Sequence, residues 1–252
     1  MTSTANWLQK IGNPQAPTMR LVCFPHSGSG PGIFSKWSKL FPEYVEIFAV
    51  HLPHRERRYL EPAVTGFSEV ADAVIAELAG MPSLPTAFYG HSLGAILAFE
   101  TVREFEMKGL RPLGFFAAGR RGPRKSDPQV DISKISDEKL LEGLAGIYGT
   151  FLDRTPGALD KFYVIPIRDD IELSQNYRYK VSHSLSCPIT VFCGAMDAAV
   201  DVKDAGCWMD ETSGAFRLRT FPGGHFFVHD HVSSVAAEIF HDLCAWTAQE
   251  EG

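Results

Sequence analysis

Apolar residues fall along this chain in two alternating rhythms. Short runs rich in β-branched and aromatic residues occupy Arg20–Phe24, Val45–Val50, Thr86–Tyr89, Gly114–Ala118, Ile189–Cys193 and Phe216–Phe221, and these read as strands. Between several of them the spacing changes. Phe67, Val70, Ala71, Val74, Ile75 and Leu78 share one face of a helix predicted over Gly66–Ala79. Similar patterns predict helices over Leu93–Lys108, stopped by Gly109, and over Val232–Thr247. Strands that alternate with helices need crossover connections, so the expected class is α/β with a mostly parallel central sheet flanked by helices.

The rhythm breaks between Arg120 and Leu185. That stretch offers helical patterns (DEKLLEGLAGIYG, DDIELSQNYRY) and no strand. We expect one domain over residues 1–252, with residues 120–185 as a helical lid or cap inserted in it. Such an insertion sits over the carboxyl ends of the strands, where parallel α/β sheets bind ligands.

Composition narrows the function class. A chain of 252 residues suffices for one large core, and 45% apolar with 21% charged residues is ordinary for a globular domain. The formal net charge of −6 argues against nucleic acid as a partner. Five cysteines without a C-x-x-C spacing predict neither a disulfide framework nor a zinc site. The first twenty residues lack the pattern of a signal peptide, and no run of about 18 apolar residues predicts a membrane span. The expectation is a cytoplasmic monomer that needs no metal or other cofactor.

The chemistry-bearing stretch is FYGHSLGA, Phe88–Ala95, where a strand gives way to a helix. Gly90-His91-Ser92-Leu93-Gly94 fits G-x-S-x-G, the nucleophile elbow of the α/β-hydrolases. The turn is so tight that β-carbons flanking the serine would strike neighbouring backbone. A serine hydroxyl needs a base to take its proton, and the base needs a partner to orient it. In that fold the chain order is Ser, then Asp or Glu, then His. Asp197 and His225 each follow the carboxyl end of a predicted strand, so the candidate catalytic residues are Ser92, Asp197 and His225. Asp201 and Asp204 are alternatives to Asp197. The oxyanion-hole donors are expected to be the backbone N–H groups of Leu93 and of Ser27, in the PHSGSG loop. That loop lacks the Gly-Lys-Ser/Thr end of a P-loop, and Ile33 stands where a dinucleotide site needs its last glycine.

Taken together, RLVCFPHSGSG, FYGHSLGA, PIRDDIELSQNYRY, CGAMDAAV and FPGGHFF resemble the type II thioesterases, the stand-alone α/β-hydrolases of polyketide and nonribosomal peptide synthesis. The chain is also similar to the discrete medium-chain thioesterase of animal fatty acid synthesis. The resemblance runs from Trp7 to about Trp246. It implies hydrolysis of acyl groups from the phosphopantetheine arm of an acyl or peptidyl carrier protein. It carries the nucleophile onto Ser92, the acid onto Asp197, the base onto His225 and the oxyanion loop onto His26-Ser27-Gly28. At the acid the family often has Gly-Asp or Gly-Arg, whereas this chain has Gly194-Ala195-Met196.

Two other readings share these residues: an esterase of small oxyesters, and a non-catalytic binding protein of the same fold. Leu140, Leu141, Leu144, Ile147, Tyr148 and Phe151 could line an acyl pocket or simply pack. Phe226 and Phe227 are equally ambiguous. Two basic clusters, His54–Arg58 and Arg121–Lys125, could steer an acidic carrier protein or be absorbed by local carboxylates.

Overall fold

The computed structural model describes residues 7–125, 129–148, 160–181 and 183–250. Seven strands form one sheet: β1 (Leu8–Ile11), β2 (Met19–Phe24), β3 (Val45–Val50), β4 (Thr86–His91), β5 (Gly114–Ala118), β6 (Ile189–Gly194) and β7 (Phe216–Phe221). Their order is β1-β3-β2-β4-β5-β6-β7, and every pairing is parallel except β1 with β3. β2 to β6 are buried along their whole length, which is why they read as mainly apolar runs.

The sequence reading missed β1. LQKI is too short to announce itself, and it exists because Leu8 to Ile11 pair with Val50 to Ile47.

The main helices are α1 (Phe67–Ala79), α2 (Leu93–Met107), α3 (Asp137–Tyr148), α4 (Asp160–Asn176), α5 (Val202–Gly206), α6 (Phe227–Asp230) and α7 (Val232–Glu250). α1 and α2 cover one face of the sheet through a core that includes Val74, Ile75, Leu97, Phe99 and Trp208. α7 covers the other face with Val235, Ile239, Leu243 and Trp246, joined by Phe34 and Trp37. α3 and α4 share a separate small cluster of Leu140, Val164 and Ile167, packed by Leu141, Leu144 and Ile171. Three of the candidate pocket residues, Leu140, Leu141 and Leu144, therefore pack between these helices. Ile147 is exposed, and Phe151 lies outside the described residues.

Register decides where the chemistry goes. Phe24 pairs with Gly90, His91 with Ala118, and Gly194 with Phe221. The carboxyl ends of β2, β4, β5, β6 and β7 thus lie along one edge, and the loops after them meet there. Among the described residues, no helix is long and apolar enough to cross a membrane.

Candidate active site

Ser92 links β4 to α2 at φ 56° and ψ −118°, in the left-handed half of backbone space. Such strain persists only where the surroundings enforce it. They do so by leaving no room beside the serine. A Cβ on Gly90 would lie 2.1 Å from the Gly94 carbonyl oxygen, and one on Gly94 would lie 2.3 Å from that of Phe24. Ser92 donates its own N–H to the Ala118 carbonyl at 2.8 Å, which locks the elbow to β5. The hydroxyl-bearing residue is half-buried, at the N-terminal end of α2, where the helix dipole is positive.

Asp197 follows β6 in a tight turn. Its Oδ1 accepts the N–H groups of Ala199 at 2.9 Å and Val200 at 3.2 Å. This leaves Oδ2 aimed at His225, whose Nδ1 donates to it at 2.8 Å. Both side chains are inaccessible, at 0% and 4% exposure, so the pair operates away from bulk water. The two alternatives to Asp197 are occupied elsewhere. Asp201 caps α5 by accepting the Lys203 N–H at 2.7 Å, and Asp204 pairs with Lys125 at 3.3 Å.

His91 is buried beneath this arrangement, its Nε2 donating to the His225 carbonyl at 3.0 Å, with the two rings 5.2 Å apart. That contact fastens the residue before Ser92 to His225 itself. His26 stands next to His91 and His229, at 5.4 and 5.5 Å between ring centroids. Burial pushes the His26 imidazole down to about 3, and His229 and His225, whenever they are protonated, and the Arg55 cation push the same way. Burial likewise lowers His91 and His229. These rings stay neutral at neutral pH and add no positive charge beside His225. Among the described residues, no trio of His, Cys, Asp or Glu is arranged to hold a metal ion.

The ambiguous phenylalanines separate. Phe227 is fully buried and stacks on Phe221 at 5.4 Å, so it is core. Phe226 is half-buried against the rings of His26 and His225, at 5.0 and 5.3 Å, and forms a wall of the site.

The loop after β2 carries Ser27, and its neighbours are firmly held. Gly28 has φ +76° and donates its N–H to Asp170 Oδ2 at 2.7 Å. Asp170 lies on α4 and pairs with Arg55, both side chains being buried. Sequence reasoning missed this contact. HRERR and PIRDD were both visible, but no spacing rule joins residues that stand 115 positions apart.

The basic clusters are largely absorbed. Arg58 pairs with Glu61 and the His51 carbonyl, and packs over Trp7 at 4.5 Å. Arg121 donates to the Ala199 carbonyl at 2.6 Å, and Arg124 to the buried Glu211 at 2.6 Å. These side chains hold loops to the domain and do not form a free cationic patch.

With this geometry in place, the chain can be set beside known proteins. The family model of the thioesterase domain matches residues 19–243. A probable cadicidin biosynthesis thioesterase of Streptomyces griseus is 34% identical over 243 residues, covering 94% of this chain and 66% of that protein. The gramicidin S biosynthesis protein GrsT of Aneurinibacillus migulanus is 30% identical over 226 residues, covering 89% of this chain and 88% of that protein. The solved structure of the type II thioesterase BorB, from the borrelidin biosynthetic cluster, superposes with a TM-score of 0.84 at 28% identity, over 96% of this chain and all of that one. The chain therefore belongs to the thioesterase family, as a type II thioesterase of α/β-hydrolase fold, and it is a thioester hydrolase.

Proposed function

We propose that the chain hydrolyses acyl thioesters from the phosphopantetheine arm of a carrier protein, by way of an acyl-enzyme on Ser92. The observation that carries the mechanism is the His225–Asp197 contact of 2.8 Å, on the same sheet edge as a serine held in a strained turn. Asp197 fixes the tautomer of His225, leaving Nε2 as the acceptor for the Ser92 proton. The alkoxide attacks the thioester carbonyl, and the N–H groups of Leu93 and Ser27 receive the developing oxyanion. Collapse expels the pantetheine thiolate, which takes the proton from His225 and leaves as the thiol. A thiolate, with a free pKa of about 8.5, leaves more readily than an alkoxide, so this proton transfer is not demanding. His225 then activates water against the acyl-enzyme, and the carboxylic acid is released.

Residues 120–185 act in this reading as a helical lid. The separate apolar cluster of α3 and α4 supports that role, as does the seating of Ile167 directly over Gly28. The carrier-bound substrate is favoured by the two bacterial relatives, whose names place them in the biosynthesis of cadicidin and gramicidin S.

The test is intact mass spectrometry of carrier proteins loaded with a panel of acyl groups, followed during incubation with the chain and with Ser92→Ala. The expected result is loss of the acyl mass with the wild type alone. An oxygen ester of the same acyl group should turn over more slowly than its pantetheine thioester; a preference for the oxyester would favour an esterase instead.

A further inference from the structure

A charge pair joins α4 to the loop after β3, and both of its members also hold the loop after β2. Arg55 Nη2 donates to Asp170 Oδ1 at 2.7 Å and Nη1 to Oδ2 at 2.8 Å, in a bidentate fork. Arg55 Nε donates to the Pro53 carbonyl at 3.2 Å, and Nη1 also reaches the Ser29 carbonyl at 3.1 Å. Asp170 Oδ2 accepts the Gly28 N–H as well. Residue exposures are 3% for Arg55 and 1% for Asp170. A buried ion pair is weak support for stability, since apolar residues of similar volume often serve as well or better. What the pair positions is therefore the more informative question.

The backbone around Arg55 points the same way. Among the described residues, three that are not glycine have positive φ: Ser92, His54 at 60° and Glu56 at 47°. Two of the three flank Arg55. Strain of this kind gathers at sites where geometry matters.

The contacts show what is being positioned. The Ser27 carbonyl accepts from His26 Nδ1 at 3.1 Å, while the next N–H, on Gly28, is taken by Asp170. The peptide unit between Ser27 and Gly28 is thus pinned at both ends. The His26 carbonyl accepts from the Ser29 N–H at 3.1 Å and from the Ser29 hydroxyl at 2.6 Å. In a trans peptide the N–H points opposite the carbonyl, so fixing the His26 carbonyl fixes the direction of the Ser27 N–H. Arg55 completes the frame by holding the Ser29 carbonyl. Ile167, on α4, lies where a side chain at Gly28 would be, 2.3 Å from an ideal Cβ.

We propose that Arg55 and Asp170 form a positioning clamp that sets the Ser27 N–H for the transition state and couples that setting to the seating of α4. The proposal rests on the assignment of Ser27 as an oxyanion donor. Neither side chain touches substrate; both act through the backbone of residues 26–29.

The test compares Asp170→Asn, Arg55→Lys and the apolar double variant Arg55→Met/Asp170→Leu, using a soluble acyl-pantetheine thioester. The double variant avoids the unpaired buried charge that Asp170→Asn leaves on Arg55, so it keeps the fold while the loop loses its anchor. The clamp predicts that the double variant melts close to the wild type, yet its kcat falls about 30- to 100-fold with KM within about threefold. A double variant that folds and turns over within about threefold of the wild-type kcat overturns the clamp. Should it not fold, Arg55→Lys, which keeps the charge and loses the fork, decides by the same split between kcat and KM. A fluorophosphonate probe run alongside keeps the two claims apart. Labelling of the wild type and not of Ser92→Ala, with full turnover by the double variant, removes the clamp alone. Labelling that persists in Ser92→Ala removes the nucleophile assignment, and the clamp with it.

Discussion

Gly94→Ala probes the proposed oxyanion hole from within the fold. An ideal Cβ at residue 94 would stand 2.3 Å from the Phe24 carbonyl oxygen, 2.5 Å from that of Pro25 and 2.7 Å from the Phe24 carbonyl carbon. All three are backbone atoms, so no side chain can rotate to relieve the clash. Raising 2.3 Å to the 3.0 Å that such contacts need moves α2 away from the end of β2 by about 0.7 Å. The two proposed donors lie on either side of that contact: Leu93 opens α2, and Ser27 is three residues beyond Phe24. The alanine therefore widens the hole.

A misplacement near 1 Å costs on the order of 10²-fold in rate, and loss of one donor costs about 10²- to 10³-fold. Gly94→Ala should lower kcat roughly 30- to 300-fold on an acyl-pantetheine thioester, with KM within about threefold, while overpacking removes about 1–3 kcal/mol of stability. Gly109→Ala is the control. Its Cβ meets nothing within 4 Å, but its φ is +77°, so it should lose about 1 kcal/mol and keep its kcat. Thermal melts and thiol release on the same preparations provide the comparison. A folded Gly94→Ala enzyme with kcat within about threefold of the wild type would refute the reasoning.

Asp197→Asn should reduce kcat about 10³- to 10⁴-fold by removing the carboxylate that orients His225, whereas Asp201→Asn, at a helix cap, should leave kcat unchanged; steady-state rates distinguish them. Arg124→Glu sets a carboxylate against the buried Glu211, so it should lower the melting temperature while changing kcat/KM for a carrier-bound and a small thioester by the same factor. A selective loss on the carrier-bound substrate would restore a steering role to that cluster. His26 is held neutral by burial, with its titration at about 3 against about 6.5 unfolded. Between those values the unfolded chain binds the extra proton, so this stabilisation is complete above about pH 6.5 and lost as pH falls toward 3, at up to ~1.4 kcal/mol per unit. Urea titrations from pH 6 to pH 4 should show a shallower loss in His26→Gln than in the wild type; parallel lines would show that His26 contributes nothing to acid sensitivity.

The sequence revealed what local pattern controls. Mainly apolar runs marked β2 to β6, because strands covered on both faces favour apolar residues; the buried Arg20 and Glu46 are tolerated there as a pair. Gly90 and Gly94 were legible because only glycine fits against the backbone they meet. Long-range dependence hid the rest. β1 is made by its partner strand. The positive φ values of His54 and Glu56 carry no glycine to announce them. α4 runs through Pro166, an interior position that costs about 3 kcal/mol by propensity alone. Tertiary contacts of that helix, through Ile167 and Asp170, override the local preference.

The central claim is that an acyl group passes through Ser92. The most direct measurement is a rapid acid quench in the first turnover with excess acyl-pantetheine thioester, followed by peptide mass mapping. The account predicts an acyl group on the peptide containing Ser92 that builds up to at most one per chain, falls away once the thioester is consumed, and is absent from Ser92→Ala. Turnover without any adduct at Ser92, or full hydrolysis by Ser92→Ala, would contradict it.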